Sequence, residues 1–152
     1  MFIETGRFGK VAYKKSEIIW MVRSLLGFED YKRYIIISIK GQEPFKWLQS
    51  LDDPNLAFLA IDPLFFMPDY VVEVNPKDIA LLGARDVKHI YTLVLVTIPK
   101  GQPDKMSANL QGPVIVNSQN MQGAQLVLGD SNYATNHSIF SELENKLVPV
   151  HS

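Results

Sequence analysis

Short apolar runs separated by turn-forming residues make up most of this chain. The runs are rich in β-branched and aromatic residues, a composition typical of β-strands. Glycine, proline, asparagine and aspartate stand between them, where tight turns need these residues. The pattern predicts about nine short strands. Ten runs are candidates for these strands: 2–5, 10–13, 31–39, 45–50, 57–61, 70–74, 89–98, 106–110, 114–117 and 124–128.

One short helix is predicted between the strands. Asn75 suits the N-cap and Pro76 the first helical position, while Gly83 suits the end. Residues 16–26 remain ambiguous, because Ser16 is also able to cap a short helix and residues 18–22 also fit a strand. A helical spacing of apolar residues recurs near the end of the chain, at Ile139, Leu143 and Leu147.

Together these elements predict an all-β fold. Many short strands with one short helix favour a small closed or partly open β-barrel-like domain over an array of alternating strands and helices. With 152 residues, we expect a single domain. We place this domain at residues 1–138 and a C-terminal tail, helical and then frayed, at 139–152.

Composition removes several classes of function. The chain has no cysteine, which excludes disulfides, thiol catalysis and cysteine-bound metal. Its net charge of −1 gives no general attraction to nucleic acid or to an anionic membrane. No apolar run approaches the roughly 18 residues of a membrane-spanning helix, and the N-terminus has no signal-peptide pattern. We therefore expect a cytoplasmic protein that does not associate with membranes.

The charge is unevenly distributed along the chain. Residues 1–41 carry eight basic and four acidic residues, whereas residues 42–75 carry one lysine and six acidic residues. The acidic block also contains many of the aromatic residues. Such a block is expected to repel nucleic acid and to favour a basic protein partner.

Catalytic and metal-binding patterns are largely absent. The three histidines are far apart in sequence, and no phosphate-binding glycine motif is present. Asp52, Asp53, Asp62 and Asp69 carry the acid–base or calcium chemistry available to this chain. Aspartate next to proline is more often a turn former, so we favour structural roles and expect no cofactor. A small barrel that binds a ligand or metal, or an enzyme, using Asp52, Asp53 and Asp62 remains the alternative.

Residues 62–73 are the best candidates for partner contact. Two adjacent aromatics, Phe65 and Phe66, lie between turn signals, where both cannot easily point inward. An exposed aromatic surrounded by acidic residues resembles the centre and rim of a protein interface. A packed surface loop is the competing interpretation. Direct RNA binding is disfavoured because no basic stripe with aromatics is present. The predicted contact residues are Asp62, Phe65, Phe66, Asp69, Tyr70 and Glu73.

Several motifs resemble those of the FliW family of bacterial flagellar assembly factors. The more specific ones are Leu-Gln-Ser-x-Asp-Asp-Pro at 48–54 and Ala-Asn-Leu-x-x-Pro-Val-Ile-Val-Asn at 108–117, which corresponds to the pattern Ala-Asn-Leu-x-x-Pro-Ile-Val-x-Asn. Leu-Gly-Phe at 26–28 and Asp-Pro-x-Phe-Phe-x-Pro-Asp-Tyr at 62–70 match as well. The order and spacing agree to about residue 137. Leu26 stands where the family favours proline, and Gly112 where it favours alanine.

This resemblance implies a non-enzymatic, β-barrel-like protein with two protein partners. FliW proteins bind flagellin and the translational repressor CsrA. Binding to CsrA is allosteric and relieves the repression of flagellin mRNA, and flagellin competes for the FliW protein. The motif residues that the resemblance marks as structural are Gly27, Phe28, Gln49, Asp53, Pro54, Asn109 and Pro113.

Overall fold

The structure, a computed structural model, describes residues 1–129 and 132–140. Across these residues the chain forms eleven β-strands and one complete α-helix, and residues 139–140 are also helical. Short 3₁₀ turns link several strands. The strands are β1 Phe2–Thr5, β2 Gly9–Ala12, β3 Ile19–Arg23, β4 Arg33–Ile37, β5 Lys46–Ser50, β6 Ala57–Ile61, β7 Ile90–Thr97, β8 Ser107–Ala108, β9 Val114–Asn117, β10 Gln122–Gln125 and β11 His137–Ser138, and helix α1 is Pro76–Leu81.

Seven of the strands form a closed barrel, which confirms the predicted fold class. Strands β3 to β7 follow one another as antiparallel neighbours. β10 pairs with β3 in parallel and with β9 antiparallel. β9 then pairs with the first half of β7, and this pairing closes the sheet. β8 and β11 extend the sheet from the second half of β7, while β1 and β2 form a separate hairpin.

The alternation of apolar residues explains how the barrel acquires two cores. In β9, Val114 and Val116 pack into the barrel interior with Ile19, Tyr34 and Leu48. The residue between them points the other way and joins an outer cluster. Because successive side chains of a strand point to opposite faces, a strand covered on both sides is apolar throughout. The outer face of β9 and β10 is therefore covered by another part of the chain.

The cover is the connection from β6 to β7, residues 62–89. Phe66 and Tyr70 pack against β7, β8 and the described end of the chain in one outer cluster. Leu82, which follows helix α1, packs against Ile115 and Leu126 in another outer cluster. The acidic and aromatic stretch thus lies on the outside of the barrel as a second layer.

Helix α1 forms as the sequence predicts. The Asn75 side chain accepts a hydrogen bond from the Asp78 N–H at 3.0 Å, and Pro76 is the first helical residue. Gly83 follows with a φ of +66°, a conformation that favours glycine. The helix is held to the barrel from below, since the Leu82 carbonyl accepts hydrogen bonds from the Asn117 and Asn120 side chains.

Two strand predictions need correction. Residues 70–74 form no strand, because no other strand lies beside them to complete a ladder among the described residues. Their burial nevertheless alternates from residue to residue, which is the signal that suggested a strand. The last predicted strand, 124–128, begins and ends earlier, at Gln122–Gln125. The ambiguous residues 16–26 contain strand β3, preceded by the short 3₁₀ turn Lys15–Glu17, in which Ser16 is an inner residue and not the cap.

The predicted domain boundary at residue 138 falls before the last described residues. Ile139 is fully buried in the outer cluster with Phe66 and Leu110, so packing extends past residue 138. The rest of the predicted tail, with Leu143 and Leu147, lies outside the described residues.

Candidate functional site

The predicted contact stretch begins with a capped turn at the end of β6. The Asp62 carboxylate accepts a hydrogen bond from the Leu64 N–H at 2.9 Å and caps the 3₁₀ turn Pro63–Phe65. The turn separates the two adjacent aromatics. Phe65 is 53% exposed, whereas Phe66 is fully buried and its ring stacks on His137 at a centroid distance of 6.0 Å.

Tyr70 anchors the other end of the same stretch. Its side chain is buried, and its hydroxyl donates a hydrogen bond to the Leu110 carbonyl. Burial raises the pKa of Tyr70 well above its usual value, and the neighbouring Tyr133 raises it further. The Tyr133 ring lies 4.6 Å from that of Tyr70, and the Tyr133 hydroxyl accepts a hydrogen bond from the Val71 N–H at 3.1 Å.

This geometry corrects the predicted contact set. Phe66 and Tyr70 are core residues that fasten the stretch to the barrel, and neither side chain lies on the surface. Phe65, Asp69 and Glu73 are exposed, as a contact role requires, and Asp62 is partly exposed. These four remain candidates for partner contact.

Two further residues complete this surface. Leu64 and Val71 are 53% and 60% exposed, although both are apolar. Sequence reasoning did not select them, yet Val71 alternates with the buried Tyr70, and the alternation was a usable signal. Exposed apolar residues with acidic neighbours are typical of surfaces that bind proteins. These residues belong to one stretch of chain, 62–73, although Asp62 and Leu64 line one groove and Val71 and Glu73 line another. We call the set the acidic–apolar surface: Asp62, Leu64, Phe65, Asp69, Val71 and Glu73.

A groove borders the acidic–apolar surface on the side of β7. Its volume is about 530 Å³, and its walls include Asp62, Leu64, Val72, Val74 and Val87. Its floor includes the beginning of β7. The lining is mainly apolar, so the groove is suited to aliphatic side chains more than to a charged ligand.

Asp52 is a structural residue that fastens two strands together. Its carboxylate accepts hydrogen bonds from the Lys32 and Arg33 N–H groups at 2.8 and 3.0 Å. It also pairs with the Arg33 guanidinium at 2.9 Å. Partial burial would raise the pKa of Asp52, but these hydrogen bonds and the arginine outweigh it and hold the pKa below its ordinary value.

The aspartates of the alternative hypothesis do not come together. The Asp53 carboxylate accepts a hydrogen bond from the Asn55 N–H at 2.9 Å within its own turn. Asp53 and Asp62 lie beyond opposite ends of β6, a strand that by itself spans about 16 Å. Within residues 1–129 and 132–140, no group of histidine and acidic side chains is arranged to hold a metal ion. The geometry therefore gives the metal or catalytic alternative no support.

The Gln49 and Pro54 motif organises the turn between β5 and β6. Gln49 is fully buried, and its side-chain amide donates to the carbonyls of Ser50, Leu56 and Pro54 at 2.9, 3.1 and 3.2 Å. The Pro54 carbonyl also accepts a hydrogen bond from the Gly6 N–H at 3.0 Å. The turn thus holds the β1–β2 hairpin against the barrel.

The second motif organises the entry to β9. The Asn109 side chain accepts hydrogen bonds from the Gln111 and Gly112 N–H groups at 3.1 and 3.0 Å. Pro113 is buried, and its carbonyl accepts from Leu126. Sequence reasoning missed the buried Gln125, which donates to the Gly112 carbonyl and accepts from the Leu26 N–H.

The Gly27 and Phe28 motif shapes the loop after β3. Gly27 has a φ of +86°, which explains a glycine there, and its N–H donates to the Glu29 carboxylate. Phe28 packs edge-on against Phe58 at a centroid distance of 4.9 Å. All the motif residues singled out by the resemblance thus have local structural contacts.

Among the described residues no helix is long and apolar enough to cross a membrane.

Comparison with known proteins identifies the family that has this architecture. The family model described as FliW protein matches residues 2–139, nearly the whole chain. The chain belongs to the FliW family. The flagellar assembly factor FliW of Treponema denticola is 42% identical over 144 residues, which cover 94% of this chain and 96% of that protein. The FliW of Caldanaerobacter subterraneus subsp. tengcongensis is 38% identical over 146 residues, covering 95% and 97%.

A solved FliW structure has the same fold. A crystal structure of the flagellar assembly factor FliW superposes with a TM-score of 0.85 at 26% identity, covering 92% of this chain and 97% of that one. The resemblance of the motifs to FliW is therefore confirmed. The relatives are named for a role in flagellar assembly, which agrees with the expectation of a non-enzymatic protein.

Proposed function

We propose that this FliW protein acts in the cytoplasm by binding two proteins, flagellin and CsrA. In binding CsrA it antagonises that repressor allosterically and relieves the repression of flagellin mRNA. The observation that carries the proposal is the acidic–apolar surface, which the buried Phe66 and Tyr70 fasten to the barrel.

The acidic residues support the contact with CsrA. A protein that binds RNA is basic where it meets the phosphate backbone. Asp69 and Glu73 are both exposed, on a stretch that has an excess of acidic residues. Opposite charges accelerate association and fix the orientation of the complex, and salt weakens them.

The apolar residues support the contact with flagellin. Leu64, Phe65 and Val71 are each more than half exposed. Burying such side chains under a partner stabilises a complex by about 25 cal/mol for each Å² of apolar surface removed from water. Flagellin, whose terminal helices are amphipathic, offers a matching apolar face.

A charge-reversal experiment tests the contact with CsrA. The double variant Asp69→Lys and Glu73→Lys should weaken CsrA binding about tenfold or more at low salt, because attraction becomes repulsion. The difference should shrink at high salt, where the charges are screened. The control is Glu4→Lys with Asp30→Lys, two exposed acidic residues outside the surface. It changes the net charge equally and should leave binding within about twofold.

The same binding assay separates the other outcomes. Equal weakening by the control pair would show that only net charge matters and would overturn the acidic–apolar surface as the contact site. Wild-type protein that binds neither CsrA nor flagellin would overturn the function itself. A gel shift of flagellin leader RNA by this protein alone would favour direct RNA binding instead.

A further inference from the structure

The first half of β7 has one unpaired edge. Residues 90–93 pair with β9 on one side. On the other side β6 pairs only with residues 94–96, because β6 ends at Ile61 and the chain turns away through the Pro63 turn. Within the described part of the chain, no strand takes the place of β6 beside residues 90–93. In an antiparallel ladder alternate residues direct their N–H and C=O groups to the same edge. Two of these four residues therefore direct their backbone groups to the edge that β6 does not reach.

The groove described above lies along this edge. Ile90, Tyr91 and Thr92 belong to its lining, opposite Val72 and Val74. Its volume of about 530 Å³ is within the range of protein pockets that hold ligands. At its rim, Leu64 and Val87 are 53% and 57% exposed. We call it the β7 groove.

We propose that the β7 groove binds an extended segment of a partner protein, which adds a strand to residues 90–93 of β7. An unpaired strand edge is a template for another strand, and only a peptide backbone matches its alternating donors and acceptors. Apolar side chains at alternate positions of the segment pack against Leu64 and Val87. The inference rests on the proposed function, because the β7 groove shares Asp62 and Leu64 with the acidic–apolar surface.

The charge of the groove defines the partner segment further. Of the described residues that line the groove, Asp62 is the one that carries a charge. One of its oxygens accepts the Leu64 N–H, and a carboxylate has capacity for additional donors. A lysine or arginine at the end of the segment near Asp62 donates to this carboxylate and pairs with its charge. The occupant is thus an extended, alternately apolar segment that carries a basic residue at one end.

Amide hydrogen exchange tests the backbone pairing. The probes are purified flagellin and purified CsrA, each mixed with the full chain. In the free protein, two alternate amides among residues 90–93 should exchange rapidly, and the other two should be protected by β9. In the complex with the partner that uses the groove, the rapid pair should slow about tenfold or more.

A side-chain variant tests the same site independently. Val87→Lys should weaken binding of that partner about tenfold, because it places a charge against the apolar side chains of the segment. The control Val22→Lys changes an exposed valine on β3 and should alter binding less than about twofold. Both variants remain folded if their urea midpoints match that of the wild type.

The outcomes separate this inference from the proposed function. A partner that binds without protecting residues 90–93, or that is indifferent to Val87→Lys, overturns the β7 groove and leaves the proposed function standing. Failure of both partners to bind overturns the proposed function and the inference with it. A self-associated form in sedimentation velocity that Val87→Lys abolishes assigns the groove to a second copy of this chain, which overturns the partner segment.

Discussion

At the scale of single residues, Asp52 stabilises the fold because both of its carboxylate oxygens accept hydrogen bonds. The Asp52 carboxylate reaches two backbone N–H groups and the Arg33 side chain at the same time. An asparagine has one acceptor oxygen and no charge, so it satisfies fewer of these donors. Leaving donors unsatisfied in a partly buried position costs more than the bonds themselves contribute.

The variant Asp52→Asn measures this contribution. We expect the free energy of unfolding in urea at pH 7 to fall by roughly 1–3 kcal/mol, because charge-assisted hydrogen bonds are lost. Asp30→Asn is the matched control: this exposed aspartate shows no hydrogen bond, and its loss should change stability by less than about 0.5 kcal/mol.

The pH dependence of the same variant follows from the lowered pKa of Asp52. A carboxyl whose pKa is lower in the folded protein stabilises the fold above its unfolded pKa of about 3.9. That stability is lost as the pH falls through the lower, folded pKa. The gap between wild type and Asp52→Asn should therefore narrow in acid. A gap that stays constant from pH 7 to pH 2 would contradict the assigned role.

At the scale of elements, the short helix α1 depends on its cap and on the barrel below it. A helix of six residues is too short to be stable by itself in water. Its first turn is closed by the Asn75 side chain, and the Leu82 carbonyl near its end is held by Asn117 and Asn120. The local signal in the sequence and the tertiary contacts thus support the same helix.

Removing the cap should destabilise the protein by a predictable amount. For Asn75→Ala we expect a loss of about 0.5–2 kcal/mol in the free energy of unfolding, since the Asp78 N–H loses its side-chain acceptor and keeps only the carbonyl of residue 75. Asn75→Asp is the matched control, because it keeps a capping oxygen and places a negative charge at the helix N-terminus. If both variants lose equal stability in urea, capping is not the contribution of Asn75.

At the scale of the whole molecule, the close approach of three barrel strands leaves little space at one glycine. Gly123 lies in β10, between its parallel neighbour β3 and its antiparallel neighbour β9. A Cβ at this position would lie 3.0 Å from both the Ile19 Cγ2 and the Met21 Sδ, closer than ordinary contact. A side chain there would require Ile19 and Met21 to shift by a few tenths of an ångström.

The substitution Gly123→Ala tests this close approach. We expect a loss of about 1–3 kcal/mol in the free energy of unfolding from overpacking. Met21→Ala alone should also destabilise, by roughly 2–5 kcal/mol, because it leaves a cavity. In the double variant the added methyl group occupies part of that cavity, so the combined loss should be smaller than the sum. Additive losses in a urea double-mutant cycle would show that the two sites do not share space.

The sequence by itself determined the local features of this protein. Alternating apolar residues predicted most strands within a few positions, and Asn75 and Pro76 predicted the start of the helix. Turn residues such as Asp53 act through hydrogen bonds to neighbours two residues away, so short motifs were sufficient to predict their roles. The same motifs were sufficient to indicate the FliW family, which the comparisons confirm.

Only the tertiary structure decided which side chains are buried or exposed and which strands pair. Phe65 and Phe66 are alike in sequence, yet the turn after Asp62 exposes one and buries the other. Residues 70–74 alternate like a strand but lack a partner, because strand pairing depends on residues distant in sequence. The open edge of β7 also follows from where β6 ends and β9 begins to pair. These outcomes depend on contacts between distant segments, which a local pattern of side chains does not specify.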